Sequence, residues 1–224
     1  MVRGERDYTQ RVLATVNPAS LMAGRVLILE DFESAVSHID ATTGSAALTS
    51  TDSEVWRGEA SMKFDMTADI TSGIAYTFPC ITMGELAAEV LFHPKSGTLS
   101  AFTITFQVWD GTLRHVAACR IYYDGSNVLL QVNDDTASWK TITTLGSGVI
   151  FSAWHLFCFK FNLTTHEYGT LRFDSTYLKP SNQPYQTSSS TICPNGLVSV
   201  TGTRAVPPSA TVIIDDLIIT YEDL

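Results

Sequence analysis

Carboxylates carry most of the potential chemistry in this chain, and they gather near both ends. One group is Glu30, Asp31 and Glu33 around Phe32; the other is Asp215 and Asp216. Two carboxyl groups facing one cleft can cleave a glycosidic bond, at a separation of about 5–5.5 Å for retention and more for inversion. Adjacent residues of a strand point to opposite faces, so Glu30 and Asp31 do not share a cleft. Glu85 and Glu89 do not supply the spacing either. No catalytic residue is assigned, and the chain reads as a non-enzyme. His38, His93, His115, His155 and His166 show neither ligand spacing nor a serine or cysteine partner pattern. There is no phosphate loop or dinucleotide fingerprint.

The four cysteines, Cys80, Cys119, Cys158 and Cys193, contain no C-x-x-C pair, which argues against zinc. Cys119 and Cys158 fall inside apolar strand patterns, where a free thiol behaves as a small hydrophobe. Cys80 and Cys193 lie beside Pro79 and Pro194 in predicted loops and are the pair best placed for a disulfide. Asn162-Leu163-Thr164 spells a glycosylation sequon, but within a predicted strand.

The elements that must position these groups are almost all strands. Phe102, Ile104, Phe106 and Val108 alternate with Thr103, Thr105 and Gln107, the pattern of a half-buried antiparallel strand. Asp110-Gly111 is a turn dipeptide that accepts positive φ. His115–Tyr123 and Val128–Val132, separated by Asp124-Gly125, complete a three-stranded meander. Trp154–Leu163 alternates again, with Phe157, Phe159, Phe161 and Leu163 on one face. Gly169–Phe173 and Val198–Thr201 are shorter strands. Residues 179–195, rich in Ser, Pro, Asn and Gln, read as a long surface loop, and 202–209 as a second. Val26–Glu33 and Thr211–Tyr221 are matching β-branched runs, placed to pair as first and last strands. The sum is an all-β, two-sheet antiparallel jelly-roll sandwich over residues 25–224. Residues 1–24 read as a short N-terminal arm. Within it, residues 7–16 have Tyr8, Val12 and Val16 on one helical face, stopped at Asn17-Pro18.

Composition sets outer limits. The chain has 224 residues, 45% hydrophobic and 17% charged, enough for a full core in one domain. A net charge of −9 argues against a nucleic-acid partner, whose phosphates call for a basic face. The first 25 residues run the other way, with Arg3, Arg6, Arg11 and Arg25 against Glu5 and Asp7. A basic arm on an acidic body suits docking onto another acidic surface. No run approaches the ~20 apolar residues of a membrane span. The first residues lack the apolar segment of a secretory leader, so the expectation is a chain made in the cytoplasm.

Three stretches resemble the concanavalin A-like lectin/glucanase superfamily and its jelly-roll carbohydrate-binding modules. They are Glu30-Asp31-Phe32-Glu33, then Trp56 through Phe64, then Trp154-His155 through Phe161 with Tyr168 through Asp174. Ile214-Asp215-Asp216-Leu217 is similar to the closing strand of those modules. The resemblance spans residues 26–222. It implies the sandwich fold, and it implies no activity here, because the glucanases of the superfamily carry E-x-D-x-(x)-E on one strand and this chain has no such run. It also implies a structural Ca²⁺ between the first and last strands, held by Asp31, Glu33 and Asp215, with Asp216 the alternative to Asp215. Calcium takes six to eight oxygens at about 2.3–2.6 Å.

Lectin-like sites stack sugar rings on exposed aromatics and fix hydroxyls with polar side chains. Trp139, which follows the polar stretch Asp134–Ser138 with Asp135, is the first candidate; Trp109 and Tyr185 follow. Trp56 and Trp154 match strand positions and are expected in the core.

Two functions fit. One is a structural or decoration protein of a viral particle, since tailed phages use lectin-like jelly rolls on capsids and tails. The arm, through Tyr8, Arg11, Val12, Leu13 and Leu21, would then hook a neighbouring virion subunit or a second copy of the chain. The other is a free carbohydrate-binding module or lectin, acting outside the cell with glycans as its partners.

Overall fold

The alternation in the sequence becomes the pleat of the strands. A computed structural model describes residues 25–33, 39–49, 55–56, 58–67, 70–79, 81–96, 99–146, 153–192, 195–205 and 209–222. No helix occurs among them, and every regular element is a strand. The proposed arm helix, with Tyr8, Arg11, Val12, Leu13 and Leu21, lies outside the described residues, as do Cys80 and Cys193.

The strands form two antiparallel sheets. The first holds β1 (Arg25–Glu30), β3 (Ser45–Thr49), β4 (Ser61–Asp65), β6 (Glu85–Ser96), β11 (His155–Asn162), β12 (Glu167–Phe173), β13 (Thr176–Leu178) and β16 (Thr211–Glu222). Its order is β13-β12-β11-β6-β16-β4-β3, with β1 also on β16. The second holds β2 (Ala41–Thr43), β5 (Thr71–Phe78), β7 (Leu99–Trp109), β8 (Leu113–Tyr123), β9 (Val128–Asn133), β10 (Trp139–Gly146), β14 (Gln186–Ser189) and β15 (Asn195–Arg204). Its order is β10-β9-β8-β7-β15-β5-β2, with β14 on β8. This is the jelly-roll sandwich that the sequence pattern implies.

The core forms where the apolar alternates of the two sheets meet. Phe92 of β6 stacks on Phe102 of β7 with centroids 4.3 Å apart, and Phe106 packs against Phe161 at 5.1 Å. Each contact joins one sheet to the other. Burying such a ring contributes about 1.5–3 kcal/mol. Cys119 and Cys158 are buried free thiols, as expected.

Each sheet has a central strand whose edge is shared by two partners. On one side β16 runs along β6; on the other, β4 takes Thr211–Ile214 and β1 takes Leu217–Tyr221. First and last strands therefore do pair, with Glu30 opposite Leu217. In the second sheet, β9 takes Cys119–Tyr123 of β8 and β14 takes Leu113–Val116. A gap between two partners leaves backbone groups to be satisfied by side chains. At Ala118, the N–H donates to Asn133 Oδ1 (2.7 Å), and the Tyr168 hydroxyl, reaching across from β12, donates to the carbonyl (2.8 Å).

Two expectations are corrected. The stretch 179–195 is not simply a surface loop: it contains β14, and Pro184 bridges to Glu167. Tyr185, expected to be exposed for sugar stacking, is 1% exposed. Its ring meets Phe161 edge-on at 5.4 Å and its hydroxyl donates to the Asn162 carbonyl (3.1 Å). A composition rich in Ser and Pro hid a core anchor.

Candidate functional site

Asp215 sits on β16 where the edge passes from β4 to β1, and it is 1% exposed. Its Oδ2 accepts from Ser61 Oγ (3.0 Å) and the Trp56 amide (3.2 Å), and its Oδ1 from the Asp216 amide (2.9 Å). Asp216 has φ 46°, and the register to β6 shifts at this point, so the strand bulges. Glu33 accepts the Glu59 amide on both oxygens, at 2.8 and 2.9 Å. The carboxylate fills the space a Cβ on Gly58 would need, and Gly58 has φ 80°, so only glycine suits that turn. Asp31 Oδ1 accepts the Glu33 amide (3.1 Å). These carboxylates tie Trp56, Glu59, Ser61 and the end of β1 to the sandwich. Among the described residues no three His, Cys, Asp or Glu side chains group as metal ligands.

The outer face of the first sheet is charged and internally matched. Lys160 lies between Glu85 (2.6 Å) and Glu222 (3.2 Å). The Cys158 thiol donates to Glu89 Oε2 (3.2 Å). Burial pushes the Glu89 carboxyl up from its ordinary range and the Cys158 thiol well up, which keeps that thiol unreactive. At one edge Trp56 is 43% exposed, against the expectation of core packing. It leans on Trp154 at 5.7 Å, and His93 stacks on Trp154 at 5.3 Å. The surface position follows from the Trp56 amide being held by Asp215 at the strand junction.

The outer face of the second sheet differs in kind. Strand registry lines up rows across it. One is Thr77, Leu197, Gln107, Val116; the next is Ala75, Ser199, Thr105, Ala118; a third is Gly73, Thr201, Thr103, Arg120, Gln131, Thr141. A Cβ on Gly73 would meet the Val200 carbonyl at 2.3 Å and Thr201 Cγ2 at 2.7 Å, so glycine lets the neighbouring strand lie close. In these rows hydroxyls, amides and small groups dominate, and Arg120 is the one charge. Such a face offers hydrogen bonds in many directions with little desolvation of charge, which suits a ligand rich in hydroxyls.

Tryptophans flank this face. Trp139, 37% exposed, follows a turn organised by Asp134, whose Oδ1 accepts from the Thr136 amide (2.9 Å), its hydroxyl (2.7 Å) and the Ser138 amide (2.9 Å). The Thr136 hydroxyl and then the Ser138 amide hold that carboxyl below its usual range. Asp135 is exposed in the same turn. Arg120 lies over the Trp139 ring at 4.0 Å and the Tyr122 ring at 4.4 Å. At the other end Trp109 pairs across the hairpin with Arg114, whose guanidinium lies 5.7 Å from the ring. Beside it, Asp110 anchors the turn by accepting the Leu113 and Thr112 amides and sits 3.1 Å from His115 Nε2. Against the opposing effect of burial, these donors hold the Asp110 carboxyl well below its usual range. Trp139, Asp135 and Trp109 thus border one sheet face; Tyr185 does not, and Asp31, Glu33 and Asp215 lie at the β1–β16 edge of the other sheet. The arginines between the tryptophans were not foreseen; the signal was the hairpin, which sets Arg114 opposite Trp109.

No family model matches the chain, and no curated protein matches it. Solved structures match in fold. A conserved carbohydrate esterase from Shiga toxin-encoding bacteriophage phi24B superposes with TM-score 0.56 at 15% identity, covering 82% of this chain and 90% of that one. Botulinum neurotoxin type C, whose cell entry depends on two ganglioside molecules, superposes with TM-score 0.50 at 10% identity. The binding domain of botulinum neurotoxin DC, in complex with rat synaptotagmin II, gives the same TM-score and identity. In both toxin comparisons the match covers 82% of this chain and 43% of that one. At these identities the likeness establishes the jelly-roll fold.

Proposed function

We propose that this protein is a non-enzymatic, lectin-like module that binds a glycan across the outer face of its second sheet, and that it serves on the surface of a viral particle. One observation carries the binding role: the row from Gly73 to Thr141 is hydroxyl- and amide-rich and ends beside the exposed ring of Trp139. Indole faces and fixed polar groups are what sugar recognition uses. The toxins that share the fold are named for ganglioside and protein binding, which is consistent with this reading. The phage protein that shares it is named an esterase. Among the described residues Ser61 donates a hydrogen bond to the Asp215 carboxylate, but it is fully buried and out of reach of an ester.

The virion setting draws on the basic arm and on the phage origin of one fold relative. The free carbohydrate-binding module is the second reading, and the two share the same face. A glycan array with the full chain tests the binding role. The expected result is a ligand whose signal is lost in Thr103→Trp, which fills the centre of the face, and kept in Lys63→Ala on the other sheet. Binding unaffected by Thr103→Trp would contradict the assignment. Deleting residues 1–24 and measuring particle association by sedimentation tests the setting; association as strong as that of the full chain would contradict the arm's role.

A further inference from the structure

The two arginines of this face each combine a tryptophan ring with a glutamine amide, Arg120 more closely than Arg114. Arg120 lies over Trp139 at 4.0 Å and donates from Nε to Gln131 Oε1 at 2.8 Å. Arg114 lies 5.7 Å from Trp109 and donates from Nη2 to Gln107 Oε1 at 2.6 Å. Both project from the outer side of β8, six residues apart, which is about 20 Å along a strand. Among the described residues neither forms an ion pair with a carboxylate, although the chain has 23 acidic residues against 14 lysines and arginines. The amide oxygen of each glutamine orients its guanidinium without neutralising it.

A guanidinium placed between an aromatic ring and a neutral amide has lost part of the freedom it would otherwise surrender on binding. Its remaining N–H groups form a planar fork that matches an oxyanion. We infer that Arg114 and Arg120 are twin anion subsites, and that the glycan is an acidic polysaccharide whose carboxylates they take while its rings lie across the threonine rows. This inference rests on the glycan-binding reading of the same face and narrows its ligand class. Asp110 and Asp135 lie in the turns beside Trp109 and Trp139 and oppose an anion there, whereas exposed charges more than about 8–10 Å away are screened in physiological salt.

The experiment is affinity electrophoresis of the full chain, with isothermal titration, against polygalacturonate, alginate, hyaluronate, polysialate and heparin. Dextran and fully methyl-esterified polygalacturonate are the neutral controls. At least one carboxylate polymer is expected to bind, at least tenfold more tightly than the neutral controls. The interaction should weaken as salt rises. Arg114→Gln and Arg120→Gln should each lose about tenfold, as for a hydrogen-bonded charge, and the double variant more. Arg120→Lys, which keeps the charge and not the fork, should fall between. Unchanged melting temperatures of these surface variants would confirm that the loss is in binding.

Binding of heparin, which carries sulfates as well as carboxylates, with none of the four unsulfated polymers bound would overturn the carboxylate ligand and leave the anion subsites standing. Equal binding of acidic and neutral polymers, abolished by Thr103→Trp, would overturn the acidic ligand and leave the glycan face standing. Loss-free Arg→Gln variants would overturn the subsites. If no glycan binds and copies of the chain, or virion subunits, associate through this face instead, both readings fall.

Discussion

Asp215→Ala is the sharpest perturbation of the fold, because it separates a structural acid from a metal ligand. Asp215 is buried where the edge of β16 passes from β4 to β1, and it accepts from Ser61 Oγ, the Trp56 amide and the Asp216 amide. Truncation strands three donors at a place water does not readily reach. A hydrogen bond to a charged group contributes about 1.5–3 kcal/mol, and breaking a buried charged network costs about 3–5 kcal/mol because the partners stay unsatisfied. For a chain of this size each kcal/mol moves the melting temperature by about 2–4 °C, so a drop of roughly 6–20 °C is expected. The assay is a thermal melt of parent and variant, each with EDTA and with excess calcium. The structural account predicts the same drop in both conditions and no EDTA effect on the parent. A drop of less than about 2 °C would refute the reasoning about stranded donors. A parent that loses stability in EDTA and regains it with calcium would restore the calcium reading of Asp31, Glu33 and Asp215.

Two further predictions concern the other buried polar groups. Tyr168→Phe removes the hydroxyl that reaches from β12 to the Ala118 carbonyl, so urea unfolding should show a loss of about 1–3 kcal/mol; a loss under about 0.5 kcal/mol would mean the gap between β9 and β14 is satisfied some other way. Burial raises the folded-state pKa of Glu89, so the folded protein retains a proton the unfolded chain releases above its ordinary value of 4.5. Stability from this group is then full below that value and falls as pH rises towards the folded pKa. Glu89→Gln should flatten this dependence above pH 4.5 and raise the melting temperature at pH 7; an unchanged slope would show that Glu89 is ionised without penalty.

The sequence carried the sheets well where burial is one-sided. Phe102, Ile104, Phe106 and Val108 had to share a face, and Asp110-Gly111 had to turn the chain. The pairing of the two ends was legible for the same reason. What failed was exposure. Trp56 looked like core by its strand position, yet its place is set by an amide hydrogen bond to Asp215, 159 residues away. Tyr185 looked exposed because its neighbours are polar, yet β14 pairs with β8 and carries the ring inward. The candidate site was half legible. Trp139 and Trp109 could be chosen from local composition, but Arg120 meets Trp139 only through the registers of β8, β9 and β10, a non-local property. Arg114 opposite Trp109 was within reach, because a short hairpin fixes its own register.

The most direct test of the binding face reads the four tryptophans separately. Their indole N–H signals can be assigned by single Trp→Phe substitutions and followed by NMR as the tightest-binding acidic oligosaccharide is titrated in. The account predicts that the Trp109 and Trp139 signals move with the ligand and saturate together, while Trp56 and Trp154, on the other sheet's edge, stay still. Movement of Trp56 and Trp154 with Trp109 and Trp139 unchanged would contradict it and place recognition on the other face.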